Sequence, residues 1–215
     1  MKRIIFKCLF IICTILVLNS CIQNTAREIK DWIERYATTG EISGKYTFLP
    51  EDGIKVYLPN VFKKYSIIDY RKELKPLVSD EVYKEENKRL TFLREMKGHF
   101  HVFYDKVTKS TYSMNTIPYS PLTKRDAQYL LGMIRINNET YAENSDLEFT
   151  KITAKYDDKS GPQIFKVIHR IDNKKTNVTT YNSTYIVSHN KKTVYIQLAT
   201  GYEVNFDPYL KKMIL

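Results

Sequence analysis

The last third of the chain constrains its fold most. Four segments that read as strands follow one another, Leu147 to Tyr156, Gln163 to Ile171, Asn177 to Ser188 and Thr193 to Thr200. Short turn-forming runs separate them, Asp157-Asp158-Lys159-Ser160-Gly161-Pro162, Asp172-Asn173 and Asn190-Lys191-Lys192. A period of two is the pattern of a strand with one face against a core. Connections this short leave no room for a crossover helix, so neighbouring strands must pair antiparallel. Val194, Ile196 and Leu198 share one face of the last strand, which places Leu198 in the central sheet. A meander of this kind needs an apolar layer packed on it, and the preceding residues have to supply that layer.

They supply both strands and helices. Gly53 to Pro59 reads as a short strand with Ile54, Val56 and Leu58 on one side and a proline at its end. Ser66 followed by Asp69 is an N-cap pair that opens a helix to about Lys75, stopped by Pro76. A charged helix is predicted from Asp80 to Met96, closed by Gly98. His99 to Asp105 and Ser110 to Ile117 read as a hairpin around Lys106-Val107-Thr108-Lys109. Thr123 then caps a helix whose apolar face is Ala127, Leu130, Leu131 and Ile134, and Asn137-Asn138 ends it. A short final helix has its cap near Asn205 or Asp207 and Pro208 in its first turn.

At the other end, Lys2, Arg3 and Lys7 precede an apolar run from Cys8 to Leu18. A spanning helix needs about 20 apolar residues, so this run is too short to cross a bilayer and has the layout of a cleaved signal. The residues Leu18-Asn19-Ser20-Cys21 resemble a bacterial lipobox. That resemblance implies cleavage between Ser20 and Cys21 and lipid attachment at Cys21, with palmitate among the acyl chains. The expected organisation is a signal peptide at 1–20, a lipidated start with a short amphipathic helix at 21–45, and one α+β domain at 46–215. Ile29, Trp32, Ile33 and Tyr36 form the apolar stripe of that helix, within Ala26 to Ala37. With Ile22 after the cysteine, lipoprotein sorting implies the outer membrane of the cell envelope, facing the periplasm.

Cysteine and charge counts agree with this organisation. Of three cysteines, Cys8 and Cys13 leave with the signal, so no disulfide framework remains. About 195 residues suffice for an ordinary hydrophobic core. The formal net charge is +10, and removal of Lys2, Arg3 and Lys7 leaves +7. The lysines are scattered along the chain, which is the pattern of a solvated surface and not of a nucleic-acid site.

The order of elements carries a second resemblance. A strand ending in Leu58-Pro59 precedes Phe62, and a strand ending in Asn115-Thr116-Ile117 leads into a capped helix. An antiparallel meander then closes on the apolar strand Val194 to Thr200 and a terminal Phe206-Asp207-Pro208-Tyr209 helix. This order, from about Gly53 to Leu215, resembles the Mog1/PsbP-like α/β/α sandwich. The charged helix from Asp80 to Met96 departs from that pattern. So does Asn60-Val61-Phe62, where the family often carries tryptophan. The resemblance implies an antiparallel sheet flanked by helices and a role as a binding or assembly module. It transfers no catalytic residue and no cofactor.

Motifs for chemistry are scarce. The sequence contains no G-x-S-x-G, no H-E-x-x-H and no glycine-spaced phosphate loop, and it has seven glycines. One constellation stands out, His99-Phe100-His101. On a strand both imidazoles point to one face, about 7 Å apart, and could hold a metal if a neighbour supplied a third ligand. Asp105 shares that face. His169 alternates with Phe165, Val167 and Ile171 and reads as a core histidine. The expected function is therefore a lipid-anchored, non-catalytic module that holds an envelope protein. The alternatives are a metal-dependent hydrolase on His99 and His101 or a carrier of a small ligand or lipid.

Overall fold

The four carboxy-terminal segments pair in the order expected of a meander. They are β6 (Leu147–Asp157), β7 (Gln163–Asn173), β8 (Val178–His189) and β9 (Lys192–Thr200), each antiparallel to the next. Strand β9 then pairs with β5 (Ser110–Ile117), which pairs with β4 (Phe100–Asp105) and through it with the three-residue β3 (Lys63–Tyr65). The result is a seven-stranded, wholly antiparallel sheet in the order β3-β4-β5-β9-β8-β7-β6. The computed structural model describes residues 42–159 and 161–215, and residues 44–215 form one unit. Ser20, Cys21 and the segment from Ala26 to Ala37 lie outside the described residues.

Helices cover one face of this sheet. Helix α1 (Ile67–Leu74) begins at Ser66, whose side chain accepts from the Asp69 amide, and α2 (Asp80–Glu95) begins at Ser79 in the same way. Tyr70, Leu74 and Leu90 from these helices bury against Val102 and Tyr104 of β4. Helix α3 (Lys124–Glu143) has a reciprocal capping box between Thr123 and Asp126. Its Ala127, Leu130, Leu131 and Ile134 pack with Phe165, Val167 and Ile186 of the sheet. The helix does not end at Asn137-Asn138 but continues to Glu143. Two asparagines cost only tenths of a kcal/mol each in a helix. Asn144 and Ser145 donate to the Thr140 and Tyr141 carbonyls, which fixes the end there.

The other face carries a second, smaller layer. Strand β1 (Lys45–Leu49) pairs with β2 (Ile54–Leu58) as a hairpin outside the main sheet. Ile54, Val56 and Leu58 point inward and are buried, as their alternation predicts. Helix α4 (Asp207–Lys211) lies beside the hairpin, and Lys55 exchanges both backbone hydrogen bonds with Ile214 at 2.9 Å. Beneath this layer, Phe206 packs between Tyr112 and Tyr209. Val194, Ile196 and Leu198 are fully buried, so the placement of Leu198 in the central sheet holds. Burying a side chain of this size contributes roughly 1.5–3 kcal/mol each. The protein is thus a mixed α+β sandwich, an antiparallel sheet between helices on one side and a hairpin with a short helix on the other.

Candidate functional site

The hairpin layer meets the sheet at His99 and His101. His101 sits in β4 opposite Met114, and its parity turns it towards the hairpin. His99 lies one residue before the strand. Its position depends on Gly98, which has φ +108°, a conformation that disfavours any side chain. A Cβ at residue 98 would lie 1.4 Å from the Thr116 carbonyl oxygen. This close approach lets His99 and Thr116 pair, with the Thr116 amide donating to the His99 carbonyl at 3.0 Å.

The residue that joins the two histidines is Asp52, in the turn of the β1–β2 hairpin. One carboxylate oxygen lies 2.7 Å from His99 Nδ1 and the other 2.7 Å from His101 Nε2. The Thr116 hydroxyl donates to the first oxygen at 2.7 Å. Asp52 and His101 side chains are 7% and 6% exposed, whereas His99 is 55% exposed, so the cluster is closed on the inside and open on the outside. Burial alone would raise the Asp52 pKa, but hydrogen bonds from His99, His101 and Thr116 outweigh it and hold the carboxyl below its usual range. The same contact raises the His99 pKa, because the carboxylate stabilises its cation. The exposed Glu51 completes the group: ligand atoms of Glu51, Asp52 and His101 all lie within 4.8 Å of one another. Among the described residues this is the group whose donor set matches a metal site.

The face assignment of the two histidines was readable from their spacing, and the missing partner was not. Asp52 has no local signature, because its role arises from a contact 47 and 49 residues along the chain. Asp105 shares the face of His101, as expected, but its carboxylate is taken up elsewhere. Its carboxylate accepts from the Val107 amide and from the Thr108 hydroxyl, so it serves the β4–β5 turn at the far end of the strand. His169 is not a core residue either. It is half-buried and lines a cleft of about 620 Å³ between α3 and β6. Burial and the facing Lys151 hold its pKa below the ordinary histidine value.

A second polar cluster lies on the helix face. The Arg89 guanidinium grips Glu86 through two contacts of 2.6 and 2.7 Å and also donates to Gln197 at 2.8 Å and Ser113 at 3.2 Å. Tyr70 donates to the same Glu86 carboxylate at 2.9 Å. These side chains line a small cavity of about 90 Å³. All three guanidinium nitrogens are occupied, so this cluster fastens α2 to the sheet and leaves no open position.

No family model matches the chain. No curated protein matches its sequence. Among solved structures it is similar to the cyanobacterial PsbP from Synechocystis sp. PCC 6803, with a TM-score of 0.49 and 14% identity over 83% of this chain and 95% of that one. It is also similar to the Ran-binding protein Mog1p of Saccharomyces cerevisiae, with a TM-score of 0.42 and 10% identity over 76% and 79% of the two chains.

Proposed function

We propose that the protein is a lipid-anchored lipoprotein of the bacterial cell envelope whose folded domain binds a protein partner without catalysing a reaction. The anchor rests on the Leu18-Asn19-Ser20-Cys21 run and on the short apolar stretch before it. The binding role rests on one observation, the outer face of the β1–β2 hairpin. Tyr46 and Phe48 are 50% and 55% exposed there, and Tyr57, Lys55 and Ile214 continue the same face through the strand pairing. Single exposed apolar residues are ordinary, but a contiguous aromatic group is a feature of contact surfaces. The patch lies where the chain enters the domain from its amino-terminal segment, so a membrane tether would hold it close to other envelope proteins.

Two measurements test the two halves of this reading. Cys21→Ala should leave a larger, uncut precursor that incorporates no labelled fatty acid; equal labelling would remove the anchor. A photo-reactive amino acid in place of Phe48, irradiated in native envelopes, should yield one discrete protein adduct. Adducts with lipid alone would remove the binding role and make the patch a membrane contact.

A further inference from the structure

We infer that His101, Asp52 and Glu51, with His99 at the rim, form a binding site for a divalent transition metal of the zinc class. The donor set selects the ion. Imidazole nitrogen with carboxylate oxygen suits zinc, cobalt or nickel, whereas calcium and magnesium take oxygen ligands almost throughout. Two ligands are held on rigid elements before any ion arrives. His101 is fixed in a strand by its pairing with Met114 of β5. Asp52 is fixed in a four-residue turn in which its amide donates to the Leu49 carbonyl and Gly53 adopts φ +61°. The Lys192 ammonium clamps that turn from the sheet side by donating to the Gly53 carbonyl at 2.8 Å.

The surroundings have the layout of a metal site with an outer shell. The Thr116 hydroxyl donates to Asp52 and receives the His99 amide, so it orients a ligand without being one. Zinc–nitrogen bonds of about 2.0–2.1 Å set ligand atoms about 3.3 Å apart in a tetrahedron. The present separations of 2.7 Å need Asp52 to withdraw by only about half an ångström. Entry of the ion displaces the protons that His99 Nδ1 and His101 Nε2 donate to Asp52; a coordinating imidazole is then neutral, with its proton on the other ring nitrogen, and the displaced proton leaves to solvent. Glu51 and His99 lie at the solvent side, where ligands can exchange. The bound ion would join the hairpin to the sheet, which is a structural role and needs no turnover.

The test uses the full-length protein after removal of metal by a chelator. Zinc competition against a chromophoric chelator should show one equivalent bound, and cobalt should give the visible absorption of a nitrogen-ligated four-coordinate site. His101→Gln and the double variant Glu51→Gln/His99→Ala should each weaken binding more than tenfold. The latter changes only exposed residues and leaves the fold intact. Thr116→Val should weaken it about 10–100-fold without removing a ligand. Absence of saturable zinc binding, or binding in either variant as strong as in the unsubstituted protein, would overturn the site and leave Asp52 as a carboxylate latch alone.

Discussion

On the helix face of the sheet, Arg89 is gripped by Glu86 three residues earlier in the same helix, and its one remaining nitrogen donates to Ser113 and Gln197. On the hairpin face, Asp52 reaches histidines 47 and 49 residues away and keeps one flank in solvent. Both fasten an outer layer to the same sheet with charge. The first has its ion pair within one helix and every guanidinium nitrogen taken, so its energy goes into holding the helix to the sheet. The second is assembled only by the finished fold and stays open, which is what a site that receives something from outside requires. Polarity alone does not distinguish the two clusters; the exposed flank does.

Substitutions can break this contrast, and the largest effect belongs to the residue that brings the hairpin-side cluster together. Gly98→Ala combines a positive φ with a backbone clash at Thr116, and it should cost more than about 4 kcal/mol in urea unfolding. A loss below about 1 kcal/mol would show that the β4–β5 end relaxes and that His99 is not fixed there. Leu198→Ala should cost about 3 kcal/mol, because the side chain is fully buried opposite Tyr112 beneath the hairpin layer. A loss under about 0.5 kcal/mol would make that side peripheral.

The two clusters themselves should separate next. Arg89→Met leaves Glu86 partly buried without its cation and should cost about 2 kcal/mol. Asp52→Asn keeps the shape and part of the hydrogen bonding, and should cost about 1 kcal/mol in chelator-treated protein. Equal losses would erase the distinction between closed and open. The smallest effect concerns His169, which faces Lys151 across the strands and shares its cleft with Arg135, Glu139, Glu148 and Lys174. Its folded pKa lies below the ordinary 6.5, so protonation favours the unfolded chain. Stability should be unaffected above pH 6.5 and fall as the pH drops through the depressed value. His169→Asn should flatten that decline; an unchanged pH profile would mean that another group causes it.

What the sequence made legible was local. Ser66 and Thr123 as caps, the alternation in β2 and the meander turns all act within a few residues, and each lies where its own chemistry puts it. Strand β1 was not anticipated, because Tyr46 and Phe48 place its large apolar residues outward and only Leu49 is buried. The three residues of β3 are too few to show a period. The H-x-H spacing gave the shared face of His99 and His101, since a strand fixes it. Asp52 was invisible because a turn acid looks the same whether it meets water or two imidazoles. His169 was misplaced for the converse reason, and Asp105 shares the face of His101 yet serves a turn: parity assigns a face, but not which neighbour on that face takes the side chain.

The bridge between Lys55 and Ile214 has a consequence for synthesis. The hairpin that holds Asp52 is among the first parts of the domain to be made, and it is closed on one edge by residue 214, among the last. A growing chain can pair β1 with β2 early, yet that layer stays incomplete until residue 214 is released. Pairings between distant parts of a chain are slow to form. The closing bridge therefore forms after the residues of the cluster, 51 to 116, have all been made, so the cluster can assemble while that edge of the hairpin is still unpaired.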